Sequence, residues 1–395
     1  MQVLVLNSGS SSIKFQIIEM PSEKIICKGL VERIGYKNAA VHYKANTIAL
    51  TEEKALLTHK EGLQAVTHML MDKDNGVLKT PKEIVLVAHR VVHGGNRFDQ
   101  PTKIDATVLA EIERLSILAP LHNPANATGI RVASEIFKNA EQVAVFDTAF
   151  HQTLPEKAYR YAMPKALADE YHIRVYGFHG TSHKYVSKKA MDHLKVPSSK
   201  IISIHLGNGC SITAVKDGKS IDHSLGFGPS NGLIMGTRSG DIDQSVVFYL
   251  MDSLGMSSQE VNTLLQKQSG LLGLTGYADL RDVQMQAAEG NQDCKLALHM
   301  IAYRIKKFIG SYISVLNGVD AILFTAGIGE NSSLLRAMVC EHMNALGIII
   351  DTEKNQRVTN AICEIQSVDS KVKILVVPTN EELEIAKQAF ELMMV

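Results

Sequence analysis

Two arginines stand where an ordinary surface arginine would not. Arg90 lies in VAHRVVHGG at the end of an apolar run, and Arg238 lies in the Gly-rich stretch MGTRSGDID. A guanidinium presents a planar fork that matches carboxylate or phosphate oxygens two at a time, so both are candidate anion clamps, with loop-bracing salt bridges as the other reading. Two Gly/Ser turns point the same way. In NSGSSSIKF (Asn7 to Phe15) and HLGNGCSI (His205 to Ile212), small residues follow a strand-like run and leave backbone N–H groups open to an anion. Either turn alone is also what a plain hairpin looks like; the pair, strand, small polar turn, strand at Val3 to Glu19 and again at Ile201 to Lys216, suggests two similar halves. Asp147 in VAVFDTAFH is either a cap for the segment that follows or a catalytic group. His179 in VYGFHGTSH is placed to donate to phosphoryl oxygens or to serve as a satisfied structural histidine, and residue chemistry leaves both open.

Competing site chemistries are excluded by what the motifs lack. No stretch gives G-x-x-x-x-G-K-S/T, so a Walker-type loop is absent. GNGCSI and GIGENS both lack the third glycine of G-x-G-x-x-G, which disfavours a dinucleotide-binding oxidoreductase. His89 and His93 are four apart, but no further ligands at zinc spacing accompany them. FTAGIGENS (Phe324 to Ser332) predicts a strand ending in a flexible Gly turn before a helix that begins near Ser332 or Ser333, a place for adenine or ribose to pack on backbone.

These residues need a scaffold, and the patterning supplies an α/β one. Apolar, β-branched runs predict strands at Val3–Leu6, Phe15–Glu19, Ile84–Val92, Val143–Phe146, Ile201–His205, Ile212–Lys216, Ile322–Thr325 and Ile374–Val377. Three- and four-residue apolar spacing predicts helices at Thr107–Leu118, Gly129–Phe137, Ser182–Leu194, Ser257–Lys267, Cys294–Leu316 and Glu381–Met394. A chain of 395 residues exceeds the roughly 250 to 300 at which single cores stop growing, so two lobes with a cleft are expected. Forty-one basic and forty-one acidic side chains leave no net field to draw the whole protein onto nucleic acid or an anionic membrane. Five scattered cysteines without a CxxC pair argue against a disulfide framework, no run approaches the length of a bilayer span, and the start MQVLVLNSG is too short for a signal core. A cytoplasmic protein is expected.

NSGSSSIK, AHRVVHGG, APLHNP, FDTAFHQTLP, YGFHGTSH, HLGNGCS, MGTRSGDID, TAGIGEN and PTNEE occur in the order and at the spacing of acetate kinases, from Val3 to about Ala386. The chain therefore resembles that family closely. The resemblance implies the acetate and sugar kinase, Hsp70 and actin fold, with duplicated ribonuclease H-like α/β lobes around an ATP cleft, and a homodimer. It implies reversible, Mg²⁺-dependent transfer of a phosphoryl group from ATP to acetate, giving acetyl phosphate and ADP, with Mn²⁺ as a possible substitute and propionate as the alternative acceptor. It further implies a first lobe at 1–147 on the acyl side, completed by the C-terminal helix 381–395, and a nucleotide-binding lobe at 148–380 that closes on it and expels water.

Carried residue by residue, the resemblance makes Arg90 the carboxylate clamp, with Val92, Leu121, Phe178 and Pro229 as walls around the methyl group. Asp147, His179 and Arg238 become the catalytic set. Acetate is already ionised at neutral pH, so Asp147 is expected to orient rather than to remove a proton. Asn7 and Glu381 would hold the metal, directly or through waters. Ser10, Ser12, Lys14, His205, Leu206, Gly207, Asn208, Gly209, Asp279, Leu280, Arg281, Gly327, Ile328, Gly329, Glu330 and Asn331 would line ATP. Two stretches depart from the family: GFGPSNG (Gly226 to Gly232) where members typically read close to GFTPLEG, and Tyr277 in LTGYADLRD where a serine is typical. The first bears on acyl-chain preference and the second on the packing of base or ribose. A sugar kinase of the same fold would need hydrogen-bonding groups for a hydroxyl acceptor in place of Arg90 and its apolar walls, and an Hsp70-like or actin-like module would need a partner-binding or assembly segment.

Overall fold

The computed structural model describes residues 1–46, 48–196 and 198–394; Val395, at the end of the expected 381–395 segment, lies outside the described residues. The chain divides into two compact units, Met1–Ala149 with Asn380–Val395, and Phe150–Thr379. The first is built on eight strands: β1 (Gln2–Ser8), β2 (Ser12–Glu19), β3 (Lys24–Glu32), β4 (Tyr36–Ala45), β5 (Ile48–Leu56), β6 (Leu86–Val91), β7 (Thr102–Lys103) and β8 (Glu141–Phe146). Their order across the sheet is β5-β4-β3-β2-β1-β6-β8-β7. β1, β6 and β8 run parallel, and β1 to β5 form an antiparallel meander.

Val3 to Leu6 are fully buried because the parallel centre is covered on both faces, which is why β1 carries a continuous apolar run rather than an alternating one. Leu4 and Leu6 join one core with Leu63 and Val66 of the His59–Leu70 helix and Val132 and Ala133 of the Asn123–Ile136 helix. The C-terminal helix Glu381–Met394 packs against β1, β6 and β8. It therefore brings the end of the chain to the strands that begin it.

The second unit has β9 (Lys200–Leu206), β10 (Cys210–Lys216), β11 (Lys219–His223), β12 (Ala321–Thr325), β13 (Cys363–Glu364) and β14 (Lys373–Val376), ordered β11-β10-β9-β12-β14-β13. β9, β12 and β14 are parallel, while β9 to β11 are antiparallel. The arrangement β3-β2-β1-β6-β8 of the first unit thus recurs as β11-β10-β9-β12-β14, with the same strand directions. The echo in the sequence is a duplicated fold.

All eight expected strands are present, most of them a residue or more longer than the patterning marked. Two helical expectations need correcting. The helix expected at Gly129–Phe137 begins near Asn123, where Pro124 in its first turn is preorganised for helical φ. The Gly turn expected after Thr325 is itself a short helix, Ala326–Asn331, followed by a second at Ser333–Cys340 that Ser332 caps by accepting from Leu335 N.

Candidate functional site

In the first unit, parallel pairing of β1 with β6 and of β6 with β8 sets the carboxyl ends of three strands side by side. Asn7, Arg90 and Asp147 stand there. Asp147 is buried, its backbone N–H donates to Val91 O, and its carboxylate receives Arg90 Nη2. It is thus paired with the arginine. Arg90 Nη1 donates to Asn7 Oδ1 at 3.3 Å, while Nε is buried, has no hydrogen-bond partner among the described residues, and lies 3.9 Å from Glu381 Oε2. Burial works against the Arg90 charge, but Asp147 and Glu381 outweigh it and hold the guanidinium above its ordinary value.

Glu381 opens the C-terminal helix and feels the opposite balance. Burial, opposed by Arg90 and assisted by the Asp147 charge, pushes its carboxyl up to about 6. Glu382 pairs with Lys14 at 2.5 Å, so Lys14 faces an acid of its own unit in this structure. Three carboxylates (Asp147, Glu381, Glu382) stand against two cations (Arg90, Lys14), though among the described residues no group of three or more acids, histidines or cysteines is gathered closely enough to hold a metal ion. The turn carrying Ser10 and Ser12 is closed by Gly9 N donating to Ser12 O, with the His59 ring Nε2 2.7 Å from Gly9 O. Val92 is buried; Leu121 is half exposed.

Asn126, which the motifs did not single out, ties this end of the sheet together. Its Nδ2 donates to Ser8 O at 2.7 Å and its Oδ1 accepts from Val92 N at 3.1 Å. His89, by contrast, meets Gln142 at 2.8 Å, and burial pushes its pKa down to about 4.

In the second unit the turn between β9 and β10 has glycines on either side of Asn208. Gly207 N donates to Gly209 O, and a Cβ on Gly209 would lie 3.1 Å from His179 Nε2 and 3.7 Å from Arg238 Nη1. The structure thus brings His179, Arg238 and this turn together. Arg238 Nη1 donates to Pro229 O at 3.0 Å, and among the described residues no carboxylate lies within ion-pair distance of it. Burial lowers its pKa, so an anion placed beside it would relieve an uncompensated charge. His179 sits at φ 55° immediately before the Gly180–Leu194 helix, with Nδ1 2.9 Å from Ser211 Oγ. Ser211 in turn meets His183 Nε2 at 2.7 Å, and His183 Nδ1 meets Ser203 Oγ at 2.8 Å. Burial holds His183 well below its ordinary pKa, so it acts as a neutral imidazole. Phe178 is buried and Pro229 half-buried.

Beside that turn opens a cavity of about 560 Å³, large enough for a nucleotide-sized ligand. Of the residues expected to line ATP, Leu206, Gly207, Asn208, Asp279, Leu280, Arg281, Gly327, Ile328 and Asn331 line it. Others do not. His205 turns its Nδ1 to Ser182 Oγ and stacks on His179 at 4.3 Å, Gly329 lies against the Phe324 backbone, and Glu330 accepts from Thr379 N. Ser10, Ser12 and Lys14 belong to the first unit. Asp279 and Arg281 pair with each other at 2.6 Å at the exposed start of a helix.

The sequence did not mark the apolar wall formed by Ile234, Met235, Leu271, Ile301 and Leu335. Nor did it mark Arg336, buried with Nη1 donating to the carbonyls of Gly329 and Glu330 and thereby fixing the end of the GIGEN helix. Gly236 could have been found: a Cβ there would meet Ala278 O and Asn208 Oδ1, each at 2.9 Å, so its place in MGTRSGD is a packing requirement. Tyr277 lies outside the wall, its N–H donating to Thr275 Oγ1.

Comparison with known proteins adds an independent finding. The sequence profile of the Acetokinase family matches residues 2–387. An acetate kinase of Flavobacterium johnsoniae is 58% identical over 393 residues, covering 100% of both chains. Among solved structures, an acetate kinase of Porphyromonas gingivalis is similar at 41% identity with a TM-score of 0.94, and a propionate kinase of Francisella tularensis at 44% with a TM-score of 0.93. Each comparison covers 99% of both chains.

Proposed function

The chain belongs to the acetokinase family, and from that premise we propose that it phosphorylates acetate reversibly with ATP, giving acetyl phosphate and ADP. The reaction class, phosphoryl transfer to a carboxylate, follows from the family. The observation that supports these residues as its machinery is the state of the two arginines: Arg238 has burial without a neighbouring acid, and Arg90 has a buried Nε without an acceptor. Arg238 is thus a cation without a carboxylate beside it among the described residues, and Arg90, though paired with Asp147, keeps one N–H without an acceptor.

In-line phosphoryl transfer needs positioning and charge stabilisation more than covalent help. The first unit is the acceptor side in this reading. Arg90 holds the carboxylate through the fork N–H groups that Asn7 and Asp147 leave open, Asp147 fixes the direction of that fork, and Val92 and Leu121 meet the methyl group. The second unit is the nucleotide side. The cavity takes the nucleoside, the Gly207–Gly209 backbone takes phosphate oxygens, and His179 and Arg238 stabilise charge on the phosphoryl group in flight; Phe178 and Pro229 are proposed as further apolar contacts of the acyl methyl. Asn7 and Glu381 are two oxygen donors, both next to Arg90, that would hold Mg²⁺ directly or through waters. When bound, Mg²⁺ would neutralise phosphate charge.

A homodimer is the proposed assembly. Ile242, Phe248, Tyr249, Leu254 and Tyr303 leave apolar surface exposed on the second unit, which light scattering under dilution tests. Among the described residues no helix is long and apolar enough to cross a membrane, and Cys27, Cys210, Cys294 and Cys340 are buried free thiols, in keeping with the proposed cytoplasmic location.

The test of function is trapping of acyl phosphate as a hydroxamate. Product dependent on ATP, Mg²⁺ and acetate is expected; a folded enzyme that gives none would end the proposal. Propionate is the second reading, favoured by the open space around Gly228 next to Pro229.

A further inference from the structure

Five buried or half-buried histidines lie together in the second unit, and only His179 has a place in the mechanism above. His151 and His223 are both buried, with ring centroids 4.0 Å apart. Each meets one side of the same residue. His223 Nε2 accepts from Phe178 N at 3.1 Å, and His151 Nε2 lies 3.0 Å from Phe178 O, to which it can only donate. The far nitrogens are held as well: His223 Nδ1 meets Thr213 Oγ1 at 2.7 Å and His151 Nδ1 meets Ser220 Oγ at 2.9 Å. Gly177 fits the same construction. A Cβ there would stand 2.7 Å from the His151 ring and 2.9 Å from the His223 ring, at φ 75°.

We propose that His151 and His223 are positioning residues for phosphoryl transfer: they grip the N–H and the C=O of Phe178 and so fix the backbone from which His179 projects its Nε2. The inference rests on the reading of His179 as a group acting on the phosphoryl oxygens. The need for a grip is plain in the backbone. His179 holds φ 55°, a left-handed conformation that a residue with a Cβ adopts only when its surroundings impose it. Without two fixed hydrogen bonds on the preceding residue, the turn would relax and swing Nε2 away from the Gly207–Gly209 backbone. Burial, reinforced by neighbouring histidines, keeps His223 well below its ordinary pKa, so at neutral pH its Nε2 remains the acceptor that Phe178 N–H requires. Ser211 holds the other end of the His179 ring, leaving the backbone grip to set its origin and the serine to set its rotation.

The experiment is a rescue series combined with a double-mutant cycle, read as kcat and KM separately. His223→Leu removes the acceptor at similar volume; His223→Gln restores it, since its Oε1 reaches the position of the ring Nε2. The Leu variant is expected to lose on the order of tenfold to a hundredfold in kcat, with KM for ATP within about threefold of the parent, and the Gln variant to recover most of the loss. His179→Gln combined with His223→Leu is expected to be no slower than His179→Gln alone. If His223→Leu fails to fold, His223→Asn takes its place, being polar but too short to reach Phe178 N. A folded Leu or Asn variant with kcat within about twofold of the parent overturns the grip, and so does full additivity in the double mutant. The two readings part at one variant: normal kcat in His179→Gln defeats the role given to His179, whereas a slow His179→Gln beside a normal His223→Leu defeats only the grip.

Discussion

Replacing Asp147 with Asn removes one charge from a buried pair while keeping an oxygen that can still accept from Arg90. Breaking such a pair outright costs about 3–5 kcal/mol, because the surviving charge is stranded. Here Arg90 retains Asn7 Oδ1 at 3.3 Å and Glu381 at 3.9 Å, and 19% of its side chain is exposed. The expected stability loss is therefore smaller, about 2 kcal/mol, read as a shift in denaturant midpoint at unchanged m-value. Turnover should fall more sharply than stability suggests. With its brace weakened, the guanidinium no longer presents its fork in one direction, and a fall of at least about tenfold in kcat corresponds to about 1.4 kcal/mol of lost transition-state stabilisation. A third consequence has a definite sign. The Asp147 charge helps to raise Glu381 from its ordinary 4.5 to about 6. In the parent, the folded state therefore holds that proton more tightly than the unfolded chain does, and stability from this group is fullest below pH about 4.5 and lost as pH rises through about 6. Removing the Asp147 charge lowers the Glu381 pKa, so the acid limb of the pH–rate profile should move to lower pH. A folded Asp147→Asn enzyme with parental kcat and an unmoved acid limb would refute this account of the cluster.

Arg238→Ala should leave stability within about 1 kcal/mol of the parent, since it removes a charge without an ion-pair partner, yet cut kcat at least about tenfold in the hydroxamate assay. Gly228→Thr should be nearly silent in thermal unfolding, within about 0.5 kcal/mol, because no atom lies within 4 Å of the added Cβ. Gly226→Ala should cost about 1–3 kcal/mol, its Cβ falling 2.3 Å from the Tyr161 hydroxyl that Phe227 N–H uses. The apparent KM for Mg²⁺ should rise about tenfold between pH 7 and pH 5, as Glu381 takes up a proton near pH 6; a flat profile would remove Glu381 from the metal site. Across acetate, propionate and butyrate, kcat/KM should fall at butyrate, and a butyrate preference would defeat the small pocket assigned around Arg90.

The sheet centres were legible because strands covered on both faces are nearly continuously apolar: Val3–Leu6 throughout, and Ile201–Ile204 apart from Ser203. The β3 to β5 meander was not. In YKNAAVHYKA the buried Ala39, Ala40, Val41 and Tyr43 are interleaved with lysines, Asn38 and His42, and β5 is interrupted by Glu52, Glu53 and Lys54, so no run or clean alternation stands out. Charge pairing was harder still. Arg90 and Asp147 are 57 positions apart, and Lys14 meets Glu382 across nearly the whole chain; type and local spacing nominate such groups without saying which will touch. The cavity wall escaped for a related reason. Ile234, Leu271, Ile301 and Leu335 come from four separate segments, and an apolar residue bound for a pocket looks like one bound for a core.

What the duplicated topology explains is why the chemistry falls where it does. Many of the proposed site residues lie at the carboxyl ends of the parallel strands and in the turn of the first hairpin: Asn7, Arg90 and Asp147 at the ends of β1, β6 and β8, and Leu206 to Gly209 and Ala326 to Gly327 at the ends of β9 and β12, while His179 and Arg238 come from other segments. Parallel strands end together there, leaving backbone groups and side chains directed past the sheet, which is where ligands bind in open α/β folds. The two copies have been filled differently. The first has charged side chains braced against one another, suited to a small anion that must be held by direction. The second has glycines that clear space, suited to a large ligand held through backbone. Exchanging these fillings would undo both sites without touching either sheet. Arg90→Gly would remove the fork proposed to bind acetate, and a side chain in place of the Gly209 hydrogen would put its Cβ 3.1 Å from His179 Nε2. The proposed division of labour therefore rests on strand-end residues together with His179 and Arg238, and the scaffold beneath them is common to both halves.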